Sequence, residues 1–179
     1  MSRRLIITGN ENTGKSTLCK KMVIFARSIG IMVTGILSEL ELDGKKKIAL
    51  NAMDLRTGEK IKLADYSPGW DVLKPERKWK FNRNAFKWGN SVLTKAIPTD
   101  LLIIDEIGYQ ELENRMGWNA CFSILSSRKY KLSVLVIRPE LMYKAKQIWE
   151  IAAIFELKGF GQDNQVEQKL QRYIGSIKE

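Results

Sequence analysis

Gly9-Asn10-Glu11-Asn12-Thr13-Gly14-Lys15-Ser16-Thr17 follows directly on the apolar run Leu5-Ile6-Ile7-Thr8. The spacing of the two glycines, the lysine and the serine is that of a phosphate-binding loop, G-x-x-x-x-G-K-[ST]. Gly9 and Gly14 stand where the backbone must bend sharply, so that the N–H groups of Asn12, Thr13, Gly14 and Lys15 turn toward one anion. Lys15 then reaches the outer phosphates as a point charge, and the Ser16 hydroxyl is a ligand for Mg²⁺ carried in with a nucleotide. Thr17 is expected to open the following helix and to face the inner phosphate. A chance match is expected less than about once in a hundred chains of this length at average composition. The flanks agree with the motif: an apolar strand precedes it, and Leu18, Met22, Phe25 and Ile29 follow at helical spacing.

Working outward, Ser28-Ile29-Gly30 reads as a helix stop and Ile31 to Ser38 as a second strand, interrupted by Gly35. Glu39 to Asp43 and Lys45 to Met53, joined at Asp43-Gly44, are expected to form a polar antiparallel hairpin. A further turn at Arg56 to Glu59 leads to Ile61 to Leu63. Asp65 to Lys78 reads as an irregular connection, Trp79 and Phe81 as a half-buried strand, and Phe86 to Ile97 as a helix ended by Pro98. Leu101 to Ile104 is an apolar run of the kind a parallel sheet buries on both faces. A helix over Met116 to Ser127, a strand over Leu132 to Ile137, a helix over Leu141 to Trp149 and a strand over Ile151 to Glu156 come next. Val166, Leu170, Tyr173, Ile174 and Ile177 then share one face of a closing helix. Strands alternating with helices imply an α/β fold with a mostly parallel sheet and a small antiparallel excursion.

At 179 residues and 44% hydrophobic content, the chain suits one domain spanning 1–179. Cys19 and Cys121 are each alone in their stretch and histidine is absent, which argues against a disulfide framework and a zinc site. The expected compartment is the reducing cytoplasm. Without histidine, any general base must be a carboxylate, a lysine or a polarised water. No stretch is long enough to span a membrane, and Arg3-Arg4 precede too short an apolar run for a signal peptide. The formal net charge of +10 favours anionic partners, from nucleotide phosphates to nucleic acid. Oligomeric state is left open, with a monomer as the default.

Leu101 to Ile104 ends in Asp105-Glu106. In a phosphate-loop fold the strand beside the loop delivers an Asp at its carboxyl end to the metal shell, which is the role expected of Asp105. Glu106, one residue on, is aimed at the γ-phosphate side, where it can orient and deprotonate water. The plain alternative is a strand capped by two solvated charges. Glu111 is either a further metal or water ligand or a solvated loop carboxylate.

These residues resemble the small archaeal and bacterial nucleoside-triphosphatases of the THEP type, which have a human relative. The resemblance covers nearly the whole chain. It is most specific at Asp105-Glu106-Ile107-Gly108 with Glu111-Leu112, similar to a DEIG-x-x-EL signature. Gly35 with Ser38-Glu39, Thr57-Gly58, and Trp79 with Asn82 and Phe86 add to it. It implies a RecA-like P-loop NTPase sandwich of three layers and slow, Mg²⁺-dependent hydrolysis of ATP, GTP and other nucleoside triphosphates. The chain departs from the family pattern at Tyr109-Gln110, at Lys47-Ile48-Ala49-Leu50 in the hairpin, at Ile36, and at Asn10 to Thr13 inside the loop. Glu11 puts a negative charge in an anion-binding loop and is expected to point to solvent.

Two other functions stand beside hydrolysis. A nucleoside or nucleotide kinase would use the same loop but needs an arginine-bearing lid, which only Arg77 to Arg83 could supply. A nucleotide-gated nucleic-acid module would use Lys74 to Trp88, where basic residues interleave with Trp79, Phe81, Phe86 and Trp88 as in a stacking platform. The simpler reading buries those aromatics and leaves the charges solvated, with Trp79 and Asn82 as candidate nucleotide contacts. Arg138, and after it Arg115, are candidates for an arginine finger, the plainer reading of each being a surface arginine.

Overall fold

The computed structural model describes residues 2–69, 78–159 and 163–178. Strand β1 (Arg3–Gly9) leads through the loop into helix α1 (Lys15–Ser28). Three antiparallel-linked strands follow, β2 (Val33–Asp43), β3 (Lys46–Asp54) and β4 (Lys60–Tyr66). Strand β5 (Trp79–Phe81) runs into α2 (Arg83–Thr94), and β6 (Thr99–Ile107) into the short α3 (Tyr109–Leu112). The remaining elements are α4 (Ala120–Ser127), β7 (Tyr130–Ile137), α5 (Met142–Ile148), β8 (Ala153–Leu157) and α6 (Asp163–Gly175).

All eight strands join one sheet in the order β5-β4-β3-β2-β6-β7-β1-β8. Strands β2, β6, β7, β1 and β8 pair in parallel, and β3, β4 and β5 extend the same sheet antiparallel. Side chains alternate between its faces as a period of two requires. Leu5, Ile7, Leu101, Ile103, Leu132 and Val134 meet Leu18, Met22 and Ala26 of α1 and Leu170 and Ile174 of α6. Ile6, Leu102, Ile104, Leu135 and Ile137 meet Leu93 of α2, Ile124 and Leu125 of α4 and Ala145 of α5. Each such fully buried aliphatic side chain contributes about 1.5–3 kcal/mol, so the three layers are held mainly through the central strands.

Several expected boundaries shift. The second strand and the first half of the hairpin are one strand of 11 residues, parallel to β6 at its start and antiparallel to β3 beyond. Gly35 does not interrupt it: with φ +114° its backbone lies so close to Ile103 that a Cβ would sit 1.9 Å from the Ile103 carbonyl oxygen. Helix α1 opens at Lys15, ahead of Thr17, with Gly14 as its N-cap at φ +90°. Helix α4 starts at Ala120, later than Met116, because Arg115 and Gly117 both hold positive φ and bend the chain away from a helical path. No helix among the described residues is long and apolar enough to cross a membrane.

Candidate functional site

The loop between β1 and α1 depends on three unusual backbone conformations, Gly9 at φ +148°, Asn12 at +61° and Gly14 at +90°. A Cβ on Gly9 would meet the Leu157 carbonyl oxygen at 2.5 Å and Thr13 Oγ1 at 2.8 Å, so the close approach of β8 and the loop requires glycine here. The Thr13 hydroxyl donates to the Asn10 carbonyl at 2.9 Å and rounds off the loop. The Lys15 ammonium folds back onto the loop, donating to the Gly9 carbonyl at 2.8 Å and the Asn10 carbonyl at 2.6 Å. Partial burial holds its pKa below the ordinary lysine value; Glu106 and Asp105 oppose that shift, and the Arg138 charge adds to it.

Asp105, at the carboxyl end of β6, is 1% exposed. Burial pushes its carboxyl group up to about 7, against the neighbouring Ser16 hydroxyl, the Ser38 N–H and the Lys15 ammonium, which favour the charged form. Ser38 holds it twice, the N–H donating to Oδ2 at 3.2 Å and the hydroxyl to the Asp105 carbonyl at 2.6 Å. The Ser16 hydroxyl at the start of α1 thus lies beside the carboxylate at the end of β6. A hydroxyl and a buried carboxylate, both hard oxygen donors, suit Mg²⁺ brought in by a polyphosphate. That ion would also offset the cost of ionising a carboxyl group so deeply buried.

Glu106 turns outward from the same strand end. Its Oε1 accepts from Arg138 Nε at 2.5 Å, and Arg138 Nη1 lies 3.5 Å from Oε1 of Glu11 in the loop. From the hairpin, Lys47 Nζ comes within 3.4 Å of Asn12 Oδ1. Loop, strand end, hairpin and the residue after β7 therefore converge on one place.

The sequence pattern of the NTPase family matches residues 4–167. The chain belongs to the NTPase family. It is 29% identical over 133 residues to the nucleoside-triphosphatase THEP1 of Methanocaldococcus jannaschii, covering 74% of this chain and 77% of that one. Its fold is similar to the solution structure of a human cancer-related nucleoside triphosphatase, with a TM-score of 0.71 at 21% identity over 98% of this chain and 97% of that one. It is also similar to the crystal structure of THEP1 from Aquifex aeolicus, with a TM-score of 0.69 at 19% identity over 98% and 99% of the two chains.

Of the residues singled out in this NTPase-family sequence, Gly9, Asn12, Thr13, Gly14, Lys15, Ser16 and Thr17 lie on the loop and the first turn of α1, and of these Ser16 and Lys15 come close to the carboxylates at the end of β6. Glu111 departs from both expectations. It is 3% exposed, and its carboxylate accepts the N–H of Gly108 at 2.8 Å and of Trp118 at 2.7 Å, so it pins the loop that follows β6. Glu11, expected to point to solvent, is mostly exposed but pairs with Arg138. Arg115 stacks over the Phe122 ring at 4.1 Å. Trp79 packs edge-on against Tyr66, and Asn82 caps α2 by accepting the Asn84 N–H at 2.9 Å. Phe86 packs on Trp118, and Phe81 stacks on Phe86. Lys74, Glu76 and Arg77 of the basic segment lie outside the described residues. The reach of Lys47 and the grip of Ser38 are not legible in the sequence; Ser38 lies in a segment that matches the family pattern and Lys47 in one that departs from it.

Proposed function

We propose that this chain, as a single domain, hydrolyses nucleoside triphosphates, ATP and GTP among them, to the diphosphate and phosphate with Mg²⁺. The observation that carries the reading is the convergence of Lys15, Ser16, Asp105 and Glu106 where the phosphate loop meets the carboxyl end of β6. In this reading the N–H groups of Asn12 to Lys15 and the start of α1 bind the phosphates, favoured by the positive end of that helix. The Lys15 ammonium leaves the Gly9 and Asn10 carbonyls for the outer phosphates, a stronger partner than two neutral oxygens. Ser16 and Asp105 would hold Mg²⁺, which would supply positive charge against the charge developing on the outer phosphates. Glu106 orients a water whose oxygen attacks the γ-phosphorus; the bond to the bridging oxygen breaks and the water's proton passes to the carboxylate. The two free, buried cysteines are consistent with a reducing cytoplasmic setting.

Phosphate release is to be followed with purified protein, Mg²⁺ and ATP or GTP, with and without nucleoside acceptors. Release independent of acceptor, abolished by Lys15→Ala and by Glu106→Gln, is expected, with nucleotide binding largely kept in Glu106→Gln. Undiminished release from Glu106→Gln would remove Glu106 as the base. Phosphate appearing only on an acceptor would replace the hydrolase with a kinase.

A further inference from the structure

Strand β7 lies between β1, which feeds the phosphate loop, and β6, which ends in Asp105-Glu106. Arg138 is the residue immediately after β7, so its side chain leaves the sheet between the loop and the carboxylates. Pro139 follows it, and Arg138 keeps the extended conformation, φ −65° and ψ 147°, that a residue before proline is confined to. The backbone is thus fixed while the guanidinium can turn.

That guanidinium bridges two carboxylates from different elements, Glu106 at 2.5 Å and Glu11 at 3.5 Å. Both partners and the arginine are partly exposed, with side-chain exposures of 34%, 62% and 32%, so the pairs are screened by water and weak. It also faces the ammonium of Lys15 closely enough for their charges to repel. Two cations thus stand together beside the phosphate loop, and one of them is occupied with the carboxylate expected to act as base. A phosphate offers Arg138 a doubly charged, forked partner that neither carboxylate matches.

We propose that Arg138 is the internal cation for the outermost phosphate: in the nucleotide-free chain it is held by Glu106 and Glu11, and a triphosphate draws it away and frees Glu106. The proposal rests on the hydrolase reading and adds a selectivity to it. A diphosphate, lacking the outermost group, leaves the Glu106 pair in place, so triphosphate and diphosphate should be told apart by this one side chain. No covalent step is involved, only an exchange of ionic partners.

The test compares affinities for Mg·ADP and for the non-hydrolysable Mg·ATP analogue with an imido bridge, by calorimetry, in the unaltered chain and in Arg138→Ala, Arg138→Lys and Glu11→Gln. Arg138→Ala should keep ADP affinity within about twofold and lower affinity for the triphosphate analogue about tenfold. Its kcat for phosphate release should fall about a hundredfold or more, in line with what arginine contacts to the transferred group supply. Arg138→Lys should recover part of both, because charge is restored without the fork. Glu11→Gln should tighten binding of the triphosphate analogue by removing a competitor. An unchanged triphosphate-to-diphosphate ratio in Arg138→Ala, or a kcat equal to or above that of the unaltered chain, overturns the proposal. If Arg138→Ala does not fold, as judged by circular dichroism, Arg138→Lys carries the test, and an unchanged ratio there overturns it equally. Absence of phosphate release from the unaltered chain defeats the hydrolase reading instead, and the binding ratio separates the two failures because it needs no turnover.

Discussion

The Ser38 hydroxyl donates to the Asp105 carbonyl oxygen at 2.6 Å, and the Ser38 N–H donates to the Asp105 carboxylate at 3.2 Å. The parallel pairing of β2 with β6 ends at Ile36 and Ile104, so this clasp continues the contact between the strands by other means. Ser38→Ala leaves a buried carbonyl without its donor, at a cost of about 1–3 kcal/mol. Because the Asp105 carboxylate is then less firmly aimed, the Mg²⁺ concentration for half-maximal phosphate release should rise several-fold, with Ser38→Thr close to the unaltered chain. A Mg²⁺ titration of phosphate release checks this; lost stability with an unchanged Mg²⁺ requirement would make the clasp purely structural.

Glu111 caps the turn after β6 through the N–H groups of Gly108 and Trp118. Glu111→Ala leaves both donors unpaired, and a loss of about 1–3 kcal/mol for each is expected in urea denaturation. The effect should depend on pH. Burial raises the Glu111 pKa above its ordinary 4.5, with the two N–H donors only partly offsetting it. Just above pH 4.5 the folded chain therefore keeps a proton that the unfolded chain has lost, and stability falls as pH rises through that range. Glu111→Ala should remove this slope while lowering stability throughout, as unfolding curves taken from pH 4.5 upward will register.

Gly89 sits in α2 against Trp118, and a Cβ there would lie 2.1 Å from the indole ring. Trp118 is 2% exposed and packs on Phe86, so it has no room to yield. Gly89→Ala should lose about 1–3 kcal/mol through overpacking, more than the gain of under about 1 kcal/mol in helix propensity. Gly175→Ala, with nothing within 4 Å of the added carbon, should be neutral or stabilising. Thermal melts should show Gly89→Ala lowered and Gly175→Ala unchanged or raised.

Lys47 meets the phosphate loop only at its exposed end. Lys47→Ala should raise KM a few-fold with kcat little changed, and the difference should shrink as salt screens the charge. Lys47→Arg should behave like the unaltered chain. A KM unaffected at low salt would confine Lys47 to holding Asn12.

Local features were the legible part of this chain. The loop from Gly9 to Thr17 and Asp105-Glu106 at the end of an apolar run could be read because their chemistry depends on neighbours in sequence. The alternation of strands and helices announced itself because buried faces impose periods of two and 3.6. Boundaries were less legible: Gly35 looked like a break, yet its missing side chain is what lets β2 lie against Ile103 without one. Glu111 read as a solvated or metal-binding carboxylate, since its N–H partner at Trp118 is supplied by a bend made of Arg115 and Gly117 in unusual conformations.

By itself the sequence determined a phosphate cradle, a strand-end carboxylate pair and an α/β chain to carry them, because glycine spacing and hydrophobic period act over a few residues. Which charges face one another was decided only by the tertiary structure. Arg138 and Glu106 are separated by 32 positions, and Glu11 stands on a third element. They meet because the sheet order sets β7 between β1 and β6, and strand order is chosen by the packing of whole layers, to which no local pattern refers.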